Sequence, residues 1–199
     1  MAKTDNQTGT RRRRNAAATR EAILASAQQA FARSGYDGAG VREIAAGAGV
    51  TAMLVNRYFG SKERLFAEVV AATMADPTIL TPANLASPRL GETIAKALVD
   101  ITRAGATPLD GFLIMIHSAS SRRAAEIACE QIEQGHQTVL AGALHGDLAP
   151  QRAALILAFV AGVQIMRQVI GLPALAEAEP EALAQLMAPL LQRLVDGEA

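Results

Sequence analysis

The reading of this chain turns on residues 19–66, TREAILASAQQAFARSGYDGAGVREIAAGAGVTAMLVNRYFGSKERLF. Thr19 can accept a backbone N–H as an N-cap, and Glu21 lies in the first turn, where the helix dipole favours an anion. Ile23, Ala27, Ala30 and Phe31 then fall on one face of a helix. Gly35 ends it, because glycine takes the left-handed conformation at a helix C-terminus. After the turn Gly35-Tyr36-Asp37-Gly38, the spacing of Val41, Ile44, Ala45 and Ala48 predicts a second helix of about two turns. Gly47 and Gly49 bracket a break, and Thr51 is a fresh N-cap. A third short helix follows to Phe59, packed through Leu54, Val55 and Tyr58, before Gly60-Ser61 breaks the chain and caps it again. Two short helices across a tight glycine-containing turn, behind a longer one, meet the needs of a helix-turn-helix. The first of the pair braces the second at the angle that enters a major groove.

Charge points the same way. Lys plus Arg and Asp plus Glu each number 19 over the 199 residues, yet residues 1–64 hold eleven bases against five acids, and the remainder holds eight against fourteen. A basic end joined to an acidic body suits a polyanion-binding head on a part that does not touch the polyanion, with a merely solvated basic tail as the alternative. Residues 1–15, MAKTDNQTGTRRRRN, show no apolar period and are expected to form a disordered basic arm.

Downstream of Ser61 a fourth helix presents Leu65, Phe66, Val69 and Val70, and a loop with Pro77, Pro82 and Pro88 follows. Further helices are predicted at about 90–104, 108–120, 121–144, 150–170 and 180–196, with no strand. The last two carry broad stripes. Phe159, Val163 and Arg167 share one face, and Leu183, Leu186 and Leu190 share another, so these six are the candidate interface of a homodimer built as a four-helix bundle. Pro180 suits a first helical position. One cysteine, Cys129, makes no internal disulfide, and His117, His136 and His145 lack metal-ligand spacing or a nucleophile motif. No catalysis, metal or cofactor is expected. The apolar run 153–166 falls short of the roughly 18 residues of a spanning helix, so the expectation is a cytoplasmic protein without a membrane partner.

The stretch Thr19–Phe66 resembles the DNA-binding domain of the TetR family of bacterial transcriptional regulators. The resemblance rests on Ile23 to Phe31, Gly35-Tyr36, Val41-Arg42-Glu43-Ile44-Ala45, Ala48-Gly49-Val50-Thr51 and the ending Tyr58-Phe59-Gly60-Ser61-Lys62-Glu63-Arg64-Leu65-Phe66. It implies an all-α fold, with a three-helix DNA-binding domain over 16–62 and a larger helical domain over 63–199 for effector binding and dimerisation. The helix after Thr51 becomes the recognition helix, offering Ala52, Met53, Asn56 and Arg57 to the bases. Asn56 suits an adenine edge, Arg57 guanine or a phosphate, and Ala52 or Met53 a thymine methyl. Each good bidentate pair discriminates by about 1–3 kcal/mol. Arg42, Thr51, Tyr58 and Lys62 are the candidates for phosphates.

This chain departs from the family at Met53 and Asn56, where Gly and Tyr are frequent, and at Gly40, where Thr is frequent. Its base preference is therefore its own. The Arg11 to Arg14 run lies outside the pattern and is read as an arm reaching phosphates or a minor groove. The resemblance further implies a small-molecule effector among the middle helices, with Phe112, Met115, Ile116 and His117 as candidate pocket walls and an apolar ligand favoured by the aliphatic composition. The expected whole is a repressor released from palindromic double-stranded DNA by that ligand. The competing reading is a helical architectural DNA binder or scaffold with no effector.

Overall fold

The structure, a computed structural model, describes residues 5–75, 77–103 and 110–197, with side chains from Asn15 onward except that of Asp110. Among the described residues there is no strand. The helices are α1 (Asp5–Gly38), α2 (Val41–Gly47), α3 (Ala52–Phe59), α4 (Lys62–Met74), α5 (Pro82–Leu85), α6 (Leu90–Ile101), α7 (Asp110–Ser118), α8 (Arg122–Ile132), α9 (Thr138–Ala143), α10 (Ala149–Gln164), α11 (Pro173–Ala176) and α12 (Pro180–Asp196). Two π-turns, Glu133–Gln137 and Ile165–Val169, carry α8 into α9 and extend α10. The contacts gather into two compact units, residues 1–73 with 109–131 and residues 74–108 with 132–199.

The first helix is longer than expected. It is helical from Asp5, so the segment read as an arm continues the rod, and the side chains of Arg11 to Arg14 lie outside the described residues. A helix already nucleated over the packed turns from Ile23 to Phe31 propagates cheaply into a run of Arg, a good helix former. The predicted stop holds, since Gly35 leaves the helical region at φ 65° inside α1.

In the first unit Ile23, Ala27, Ala30 and Phe31 are buried together with Ile44, Ala45, Val55, Phe59, Leu65, Phe66, Val69 and Val70. Phe66 sits edge-on to Phe31 and to Tyr36, with ring centroids 5.1 and 5.0 Å apart. Ser26 on α1 donates to the Ile44 carbonyl at 2.8 Å, and a Cβ at Gly47 would collide with that same hydroxyl. Gly47 is thus the residue that lets α2 lie close against α1.

In the second unit α6 and α12 pack against one another, with Ile94, Ala95, Leu98 and Val99 meeting Leu183, Ala184, Met187 and Leu191, and with Leu140 and Ile156 closing the core. The approach is closest at Gly91, whose N–H donates to Gln192 Oε1 at 2.9 Å and whose missing Cβ would run into the Gln192 backbone. Gly91→Ala is therefore expected to lose about 1–3 kcal/mol by overpacking, read as a lower urea midpoint at unchanged m-value.

Two buried arginines tie the ends of α10 to other helix ends. Arg152 donates to the Asp147, Leu194, Val195 and His145 carbonyls. Arg167 donates to the Leu175 and Val99 carbonyls and to Thr102 Oγ1. In place of a carboxylate, each receives carbonyl oxygens at the negative ends of helices, α12 for the first and α6 for the second.

Among the described residues one helix, Ala149–Val169, is long and apolar enough by length and composition to cross a membrane, with 21 residues and a mean hydropathy of 1.4. It outruns the segment expected from sequence because the second π-turn carries it past Arg167. Few of its residues are covered by the chain itself.

Candidate nucleic-acid interface

The turn from α2 to α3 is four residues, Ala48 to Thr51. It is closed by Val50 N–H donating to the Ala45 carbonyl at 2.9 Å and by Gly49 at φ 66°. Thr51 then caps α3, its Oγ1 accepting from Leu54 N–H at 3.3 Å. The helix is two-faced. Val55 and Phe59 are buried beneath it, while Asn56 and Arg57 are exposed and Met53 is 81% exposed. Ala52 and Tyr58 are half-buried on the flanks. An apolar methionine so fully in water on a short helix, beside an exposed amide and guanidinium, is a costly surface for an isolated domain.

The cations of this unit divide by partner. Arg20 pairs with Glu68 and covers the Phe59 ring at 4.9 Å, and Arg33 pairs with Glu43 at 2.5 Å across α1 and α2. These hold the head together. Arg42 and Arg57 are exposed without an ion pair among the described residues.

Lys62 is placed otherwise than expected. Its Nζ lies over the Tyr36 ring at 4.7 Å and donates to the Asp37 carbonyl at 3.5 Å, and burial pulls its pKa below the usual lysine value, with Asp37 opposing.

The turn that Lys62 grips is also held by α7 and α8. Ser118 Oγ accepts from Tyr36 N–H at 2.9 Å, Ser121 Oγ donates to Asp37 Oδ1 at 3.2 Å, and Arg123 bridges to Glu63 at 3.4 Å. His117, expected as a pocket wall, instead sets its Nδ1 at 2.6 Å from the Ala32 carbonyl. A carbonyl only accepts, so Nδ1 carries the proton and the ring is committed to α1. Gly35 makes room for this contact, since a Cβ there would meet the His117 carbonyl. Sequence reasoning missed Ser118 and Ser121. Small hydroxyl residues bonded to a backbone amide and to one distant aspartate leave no periodic signal.

Phe112, Met115 and Ile116 are half-buried on α7, whereas Ile114 is the buried one. One groove among the described residues, of about 650 Å³, lies within the second unit and is walled by Arg89, Glu92 and Lys96 of α6 and its approach and by Glu181, Gln185 and Gln192 of α12. The four residues expected to wall an effector pocket do not line it.

Of the interface candidates, Leu186 is 70% and Leu190 54% exposed, with Phe159 and Val163 half-buried. Arg167 and Leu183 are corrected, for both are buried within the chain. The guanidinium turns inward because the carbonyls ending α6 await it, and Leu183 faces the α6 side of α12.

Comparison with known proteins follows this geometry. Residues 89–195 match the sequence profile described as Tetracyclin repressor-like, C-terminal domain, and residues 23–69 that of bacterial regulatory proteins, tetR family. No curated protein matches the chain. Among solved structures, a TetR-family regulator from Streptomyces coelicolor is 27% identical at a TM-score of 0.59, covering 90% of this chain and 95% of that one. A transcriptional regulator from Rhodococcus is 25% identical at 0.60, covering 88% and 95%. The regulator FadR from Bacillus subtilis, solved with stearoyl-CoA, is 17% identical at 0.64, covering 90% and 99%, and shares the fold.

Proposed function

The chain belongs to the TetR family of bacterial regulatory proteins, and from that premise we propose that it works in the cytoplasm as a homodimeric repressor, reading a palindromic operator and leaving it on capture of a small apolar effector. The observation that carries the reading is the outward triad Met53, Asn56 and Arg57 over the buried Val55 and Phe59. Arg42, Thr51, Ala52 and Tyr58 supply its flanks. The two-fold operator follows from pairing two heads through the outward faces of α10 and α12, with half-sites about 34 Å apart, one helical turn of DNA.

The apolar effector rests on the aliphatic composition of the second domain, and the stearoyl-CoA bound by the Bacillus subtilis relative is consistent with it. Release requires the ligand to favour one of two states of the dimer. Long-chain acyl thioesters and fatty acids are the first probes, with raised thermal stability and loss of DNA binding as the joint expected result. Stabilisation without DNA release removes the effector part of the reading.

Selection of bound sequences from random DNA tests the core of it. Enrichment of a palindrome is expected, and no enrichment overturns the reading. Asn56→Ala is expected to relax preference at one base pair per half-site, at a cost of about 1–3 kcal/mol there. An equal loss on selected and random DNA would remove Asn56 from base reading.

A further inference from the structure

We propose that α10 crosses its own copy at Ala158, with Leu155 of each chain seated on the partner's Gly162, so that the uncovered face of this helix is a self-complementary seam that selects a second copy of this chain. The inference rests on the homodimer proposed above and names how its two copies meet.

Three observations carry it. The first is a helix short of cover. From Ala149 to Val169 it has 21 residues and a mean hydropathy of 1.4, with only 17% of its apolar stretch buried. Either a bilayer or a second protein surface covers such a helix. A bilayer does not fit, because Arg152 and Arg167 fasten both ends to the chain itself, the first at the Leu194 and Val195 carbonyls near the end of α12 and the second at the Val99 carbonyl near the end of α6. Ala153 and Ile156 are buried in the core on that side. What remains is one face, which a partner helix covers.

The second observation is the shape of that face. Ala154, Ala158 and Gly162 follow one another at i+4 spacing, both alanines are exposed, and nothing lies within 4 Å of where a Cβ on Gly162 would stand. Leu155, 56% exposed, rises beside them. Rows of i+4 residues pack into one another at about −50°, and the axes approach to about 8 Å where the side chains are small. Ala158 is the middle of the row. A two-fold axis there reverses the partner helix, so Leu155, three residues before the crossing, lies against the partner's Ala161 and the partner's Gly162, three and four residues after it. Two copies running in the same direction would set leucine on leucine and glycine on glycine, a clash beside a void. The reversed crossing also opposes the helix dipoles.

The third is a second uncovered face in the same unit. Leu186 and Leu190 on α12 are 70% and 54% exposed, so two copies bring four helices to one bundle, toward the roughly 800 Å² per partner of a stable interface. A leucine knob and a glycine notch on one helix fit a copy of that helix. They reject a related chain with a larger side chain at the notch, so the seam favours the homodimer over mixed pairs.

Sedimentation tests the crossing. Gly162→Leu is expected to weaken self-association by about 10²-fold or more, since the two-fold repeats the overpacking on both sides. The chain's own fold leaves that space open and leucine is the better helix former, so circular dichroism is expected to match wild type. Adding Leu155→Ala to Gly162→Leu moves the knob to the other side of the seam and is expected to restore the dimer. With the exposed Cys129 replaced by serine, Ala158→Cys is expected to crosslink to its own copy under mild oxidant, and Arg122→Cys, exposed on α8, is not. The crossing is overturned if Gly162→Leu sediments as the wild-type dimer, if the double variant stays monomeric, or if Ala158→Cys fails to crosslink in an intact dimer. Flotation of the wild-type chain with phosphatidylcholine and phosphatidylglycerol vesicles would put a bilayer on the face instead, and overturns it too. A wild-type monomer removes the homodimer proposed above as well, whereas a dimer indifferent to Gly162→Leu removes only this seam.

Discussion

Leu186→Asp combined with Leu190→Asp is expected to sediment as a monomer and to bind operator DNA about 10²–10⁴-fold more weakly than wild type. The two leucines stand one turn apart on the outward face of α12, 70% and 54% exposed, where the chain's own core does not use them. Covering each by a second copy gains about 1.5–3 kcal/mol, and two charges facing their own symmetry mates in that surface reverse the gain. The outward residues of α10, among them Leu155 at 56% exposure, extend the same demand for a partner helix. The loss at DNA follows from geometry. A dimer delivers its second head at a high effective concentration once the first is seated, and a monomer has no second head. Because both positions are exposed, circular dichroism should match wild type. Sedimentation of an intact dimer would place the interface elsewhere.

How much of this is legible in the sequence differs between the two parts. The head is legible because its signals are local. Caps at Thr51, the glycines at 35 and 49, and the strict helical spacing of Ile23, Ala27, Ala30 and Phe31 each act within one or two turns, and the structure has them where the pattern puts them. The second part is legible as helices but not as faces. An apolar stripe on a terminal helix does not say which edge turns to its own core and which to another copy, so Leu183 and Leu190 look alike in sequence and differ in burial. Arg167 misleads for a related reason, since its partners are main-chain carbonyls, which every residue has. His117 is the same case, its ring bound to the Ala32 carbonyl rather than to any side chain that a pattern could announce. At the candidate site the outward face of α3 came from the family resemblance, which set Ala52 beside Met53, Asn56 and Arg57 although Ala52 is half-buried, whereas the inward turn of Lys62 depends on an aromatic ring 26 residues earlier in the chain.

Removing either buried arginine is expected to be the most destabilising change outside the hydrophobic cores. Arg152→Met removes the guanidinium from four carbonyl acceptors, and Arg167→Met removes it from the Leu175 and Val99 carbonyls and from Thr102 Oγ1, which keeps its own bonds to the Leu98 and Val99 carbonyls. Both arginines are only 7% exposed, so water does not readily replace them, and a loss of about 3–5 kcal/mol follows for each. For a chain of this size that lowers the melting temperature by roughly 6–20 °C. Arg152 has a second duty. It grips the carbonyls of His145 and Asp147 on the loop that holds Leu148 in the left-handed region at φ 56°, a conformation that costs a leucine about 1–2 kcal/mol and persists only where its surroundings enforce it. With the grip gone, that loop should relax first, seen as faster hydrogen exchange over 144–149 than elsewhere. Lysine should not rescue position 152, because one ammonium with three protons cannot span four carbonyls spread from residue 145 to 195. A melting temperature within about 2 °C of wild type for Arg152→Lys would mean that charge at the C-terminus of α12, rather than the fork of the guanidinium, does the holding.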